Sequence, residues 1–167
     1  MTGPVSRCIN INSIMIMTKF QSYIQLYLRL ALGTGYLKLG LDRLGCWGPY
    51  GKTFVSWGDW THFMEYAKQV MSFLPASLVT VFAIAATIAE ILSGTLLVIG
   101  KWTRLAAIAS GLLSFLFAIA MAISNGLQDP IGYSVFTVSA ASFLLATLPV
   151  YKWSVDTISL QQARRLS

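Results

Sequence analysis

Four long apolar stretches divide the chain, at residues 20–41, 75–100, 103–124 and 131–150. Each lies near the roughly 20 residues that a helix needs to cross a hydrocarbon core. The first, "FQSYIQLYLRLALGTGYLKLGL", is the least apolar, with Arg29 and Lys38 inside it. The later stretches are joined by "KW" at 101–102 and "NGLQDP" at 125–130. Links this short make neighbouring helices antiparallel and adjacent. The pattern predicts an all-α membrane protein, a bundle of four transmembrane helices. Three regions follow: an N-terminal segment 1–19 with little order, a membrane domain 20–150 and a tail 151–167.

The connection from Asp42 to Leu74 has a pattern of its own. Trp60, Phe63, Met64, Ala67, Val70, Met71 and Leu74 recur at helical spacing, with Thr61, His62, Glu65, Lys68, Gln69 and Ser72 between them. This predicts an amphipathic helix in the first external loop, with Asp59 as its N-cap. Trp47, Tyr50, Trp57 and Trp60 suit the headgroup layer. Such a helix can lie on the bilayer, close the mouth of the bundle as a lid, or dock a partner; the pattern leaves these open. His62 is expected to face solvent.

Composition supports the membrane assignment. The chain has 167 residues, 56% of them hydrophobic and 11% charged, with a mean hydropathy of +0.66. Soluble domains usually carry about 25% charged residues. The net charge of +6 does not form a basic stripe with interleaved aromatics, so nucleic-acid binding is excluded. The charges flank the apolar stretches instead. Arg7, Lys19, Lys101, Arg104, Lys152, Arg164 and Arg165 fall on one side; Arg43, Lys52 and Lys68 fall on the other. This bias puts both termini in the cytoplasm of a cell with the protein in its cytoplasmic (inner) membrane. "MTGPVSRCININSIMIM" lacks the apolar core of a signal peptide, and Met17 reads as an alternative start. Cys8 and Cys46 would lie on opposite sides and stay unpaired. Together with one histidine they offer no metal, iron–sulfur or haem pattern.

One glutamate, Glu90, interrupts the apolar run "TIAEILSG". Counted from Gly100, it lies roughly 15 Å deep; Arg29, counted from Phe20, lies roughly 14 Å deep. An unpaired charge there costs about 3 kcal/mol or more. The spacing therefore predicts an Arg29–Glu90 ion pair near the midplane, with Gln25, Tyr36 and Thr87 as polar neighbours. A protonated Glu90 is the alternative. The pair could hold helix register, relay protons or clamp a ligand. Lys38 is expected to snorkel outward or pair with Asp42. Ala106, Ser110, Ser114, Ala118 and Ala122 form a small-residue packing stripe.

Two blocks, "RLALGTGYLKLGLDRLG" and "AEILSGTLLVIGKWTRLAA", resemble the DoxX/DoxD family of small four-helix membrane proteins. The residues that carry the resemblance are Arg29, Gly33, Tyr36, Gly40, Arg43 and Leu44, then Glu90, Gly94, Gly100, Thr103 and Arg104. The resemblance implies a subunit of a membrane-associated, quinone-linked redox complex, with no cofactor within the chain and an electron carrier that is either a bound quinone or part of a partner. Arg43 departs from the lysine commoner at that place, and the first loop is longer than in the smallest members. Two other readings remain: a non-catalytic scaffold that recruits a partner protein, and a small oligomeric transporter. All three place the chain in the lipid bilayer, with a protein partner or further copies of itself.

Overall fold

The computed structural model describes residues 11–159, with side-chain surroundings from residue 19 onward. Arg7, Cys8, Arg164 and Arg165 lie outside the described residues. The elements are α1 (Ile11–Asp42), α2 (Trp60–Val70), α3 (Ala76–Ile99), α4 (Thr103–Asn125), α5 (Gln128–Gly132) and α6 (Val135–Thr147). No strand occurs among the described residues. α1 packs on α3, α3 on α4 and α4 on α6, and α6 returns to α1. This closes a ring of four helices, with α2 laid across α3 and α4.

The interior mixes polar with apolar side chains, and the outside is apolar. The inward stripe of α1 runs Ser22, Gln25, Arg29, Leu32, Gly33, Tyr36, Gly40, at spacings of three and four residues. Ser93, Thr103, Ser110 and Ser142 are also buried, whereas Phe20, Tyr27, Leu92, Leu105, Leu116 and Ile123 are exposed. Water-soluble folds do the reverse with their polar side chains. α3 and α4 are each long and apolar enough to cross a membrane, and only 33% and 39% of their most apolar windows are buried within the chain. A soluble core helix would be enclosed on most sides; here the outward faces need lipid.

Several boundaries differ from the sequence reading. α1 starts nine residues before Phe20. Among the described residues, only α3 and α4 meet the length and apolarity of a span. The fourth stretch is split: Tyr133 and Ser134 separate α5 from α6, and Ser134 has a left-handed φ of 56°. α6 has 13 residues, about 20 Å of helix against a core of about 30 Å. Residues 151–159, the start of the tail, fold back on the bundle. Asp156 accepts hydrogen bonds from the amides of Trp102 (2.8 Å) and Thr103 (2.9 Å) and from the Thr103 hydroxyl (2.9 Å). These satisfy donors at the start of α4 that have no helical partner.

Two glycines set the register of α1 against α3. A Cβ on Gly94 would lie 2.9 Å from the Gly33 carbonyl oxygen, and one on Gly33 would lie 3.0 Å from that of Gly94. Side chains at either place would hold the backbones apart. One turn or two further, the site of a Cβ on Gly40 is 2.6 Å from Ile91. The small-residue stripe of α4 packs as its spacing suggests, with Ala106, Ser110, Ser114 and Ala118 buried and Ala122 half-buried.

Candidate functional site: three polar clusters along one helix face

The buried charges fall into clusters at different heights on α1. At the α2 end, Arg43 follows the last turn of α1 and turns inward. Its Nη2 lies 2.9 Å from Glu90 Oε2 and donates to Oε1 at 3.0 Å. Its Nη1 donates to Thr87 Oγ1 at 2.8 Å, and Thr87 passes its own proton to the Ala83 carbonyl. The guanidinium carbon sits 3.9 Å from the Phe63 ring centroid and 5.2 Å from that of Trp57. Arg43 is 3% exposed and Glu90 9%. Aromatic faces and a carboxylate together replace the water that the cation loses.

The expected Arg29–Glu90 pair does not form. Arg29 lies at the opposite end, where its Nη2 donates to the Trp153 carbonyl at 2.8 Å. Its Nη1 is 2.7 Å from the place a Cβ on Gly100 would occupy. Arg29 is therefore level with Gly100, ten residues along α3 from Glu90, or roughly 15 Å. Counting depth from Phe20 made the error, because α1 begins earlier and the glycine contact sets the offset. Gln25 stays beside Arg29 and reaches the Lys152 carbonyl at 3.4 Å. Of the predicted neighbours, only Thr87 remains with Glu90.

Tyr36 forms a third cluster between these two. Its hydroxyl meets the Ser110 carbonyl at 3.0 Å, Ser114 Oγ at 2.8 Å and Ser142 Oγ at 3.1 Å. One phenol thus joins α1, α4 and α6. Ser139 adds a bond to the Gly111 carbonyl at 2.9 Å.

The remaining motif residues are explained by these contacts. Gly100 closes α3 with a left-handed φ of 75°, packed against Ser154 and Arg29. Thr103 bonds Asp156, and Arg104 is exposed. Lys38 donates to Ser56 Oγ at 2.9 Å rather than to Asp42. Asp42 instead accepts the amides of Ser56 (3.0 Å) and Trp57 (2.8 Å), which folds the loop back over Arg43.

α2 is held along one face and at its start. On α2, Phe63 and Ala67 pack against Val79 and Ala83 of α3. Asp59 caps α2 by accepting the His62 amide at 2.9 Å. That amide bond, followed by the contact with the His62 ring, holds the Asp59 carboxyl below its usual range. His62 faces solvent, with 39% of its side chain exposed, and it also stacks on Tyr50 with centroids 4.0 Å apart and holds its Nδ1 2.7 Å from Asp59. Between the loop and α2 lies an open cavity of about 310 Å³, walled by Tyr50, Trp57, His62 and Tyr66. Burial pushes the Tyr66 phenol up, so it stays protonated at neutral pH. No group of three potential metal ligands occurs among the described residues.

The two resembling blocks contain both partners without pairing them: Arg43 stands in the first block with Arg29, Glu90 stands in the second, and Arg43 lies beyond the predicted first span. The model of the DoxX family matches residues 24–125, which include α1 from its middle, the loop, α2, α3 and α4. No curated protein and no solved structure matches the chain.

Proposed function

The chain belongs to the DoxX family, and from that premise we propose a membrane subunit of a redox complex that anchors a partner carrying the electron-transfer chemistry. In this reading α1, α3, α4 and the α5–α6 pair cross the cytoplasmic membrane as a four-span bundle. The Lys101–Arg104 turn and residues 151–159 face the cytoplasm, and α2 with its loop caps the other side.

The observation that carries the anchoring role is the use made of Arg43 and Glu90. The pair ties the end of α1 to the middle of α3, and Phe63 and Trp57 seal it under the lid. Groups engaged in this way support a rigid platform better than a moving proton or a carried substrate. That weakens the transporter reading and favours a fixed surface offered to another protein.

A quinone does not fit the bundle interior. Leu32, Leu97 and Leu145 fill the level around Tyr36, and the Tyr36 hydroxyl already has three partners. A quinone-linked activity therefore belongs to the assembled complex, with quinone at a lipid-facing or partner surface.

The test is purification in mild detergent from native membranes, paired with quinone-linked reductase assays on membranes with and without the gene. The expected result is a stoichiometric partner with its own redox group, and loss of activity on deletion. Recovery of the chain alone, with unchanged membrane activity, would overturn the proposal.

A further inference from the structure

We infer that the cavity between the first loop and α2 is a binding site for a small organic cation of the alkylammonium class. Three features point there. First, rings and polar groups share its walls: Trp57, Tyr66, and Tyr50 stacked on His62, beside Ser56 and Gln69. Ring faces attract ammonium groups, and methylated ones most usefully, because these lose little hydration on entering. Second, the one formal charge among the lining carboxylates, lysines and arginines is Glu65, an exposed carboxylate at the rim. No lysine or arginine lines the cavity. Arg43 stacks on Trp57 but is neutralised by Glu90. Third, the cup is built in advance. Asp42 fixes the Trp57 amide at 2.8 Å, Asp59 caps α2, and the His62 ring is held at Nδ1 by Asp59. Binding then orders little that is not ordered already.

At about 310 Å³ the cavity stands at the lower end of ligand-pocket sizes. It suits a trimethylammonium or a primary alkylammonium group rather than a polycyclic molecule. The same chemistry comes from a soluble ammonium compound or from a choline lipid headgroup. The inference does not depend on the redox reading, since neither Arg29 nor a partner subunit takes part.

The test is saturation-transfer NMR on the full chain in maltoside micelles, with tetramethylammonium chloride as probe and potassium chloride as the ionic-strength control. The expected result is saturable transfer to the methyl protons, with affinity about two- to fivefold weaker in Glu65→Gln. Glu65 is exposed, so its variant should keep the thermal midpoint of the parent. Tyr66→Leu should weaken binding as well. Absence of saturable transfer, or equal titrations in the parent and both variants, overturns the inference. Repeating the titration in nanodiscs of equal phosphatidylglycerol content, filled out with either phosphatidylcholine or an uncharged galactosyl diacylglycerol, identifies the source. A weaker apparent affinity in phosphatidylcholine means that its headgroup competes for the cup; equal affinities in both discs assign the site to a soluble cation.

Discussion

Arg43 Nη2, just past the end of α1, stands 2.9 Å from Glu90 Oε2, while Arg29, two heptads earlier and inside α1, donates to the Trp153 carbonyl. The two arginines thus have separate duties, one at each end of the bundle.

Arg43→Met and Glu90→Met should each lower stability by about 3–5 kcal/mol, because each leaves a buried charge without its partner. The double variant should recover much of the loss. Thermal unfolding in detergent, combined as a double-mutant cycle, measures the coupling. The same cycle with Arg29→Met and Glu90→Met should show additivity. Stronger coupling for Arg29 than for Arg43 would contradict the observed pairing.

Substitution at the helix crossing should depend on position rather than on residue type. A methyl group on Gly94 meets the Gly33 carbonyl and Leu37 at 2.9 Å, so Gly94→Ala should cost about 1–3 kcal/mol. Gly35, on the same helix as Gly33, has nothing within 4 Å of the added atom. Gly35→Ala should be neutral or stabilise by up to about 1 kcal/mol. Equal effects at the two sites in thermal unfolding would count against the close approach.

Tyr36→Phe removes the hydroxyl shared by Ser114 and Ser142. The loss should be about 1–3 kcal/mol, as buried partners go unsatisfied. Hydrogen exchange should quicken in α4 and α6 while α2 keeps its protection; uniform quickening would show that the phenol has no local role.

Asp156→Ala removes three hydrogen bonds at the start of α4. An N-terminal cap of this kind contributes about 1–2 kcal/mol. Limited proteolysis should then cut within residues 151–159, where the parent resists. Resistance equal to the parent's would mean that the segment is held without Asp156.

Acid should loosen the lid through Asp59. Its folded carboxyl titrates below the ordinary value of 3.8, so the unfolded state takes up the proton first on acidification. The stabilisation is fully present above that ordinary value and is lost as pH falls through the lowered folded one. Asp59→Asn should remove this acid step from the helicity and exchange protection of α2. An unchanged acid profile in the variant would assign the step to other groups.

Much of the fold was legible from spacing. The amphipathic run of Trp60, Phe63, Ala67 and Val70, with Asp59 ahead of it, became α2 with its cap. The apolar runs of α3 and α4 end where Gly100 and Gly126 break them. The split between α5 and α6 was not legible, because "IGYSVF" carries no charge and no proline, and its break lies in the backbone at Ser134. The cavity was not legible either. It depends on a loop whose path is set by Asp42, and no local pattern tells a carboxylate which distant amides it will cap.

The sequence by itself determined which face of each long helix turns inward, because polar groups in a lipid setting must find partners inside the protein. It did not determine the height at which two helices meet. Arg29, Tyr36 and Arg43 are seven residues apart, and sliding a helix by two turns returns nearly the same face to its neighbour. Every such offset satisfies the polar stripe. The close approach of Gly33 to Gly94, continued where Gly40 meets Ile91, distinguishes them, and it brings Arg43 to Glu90 and leaves Arg29 at the other end.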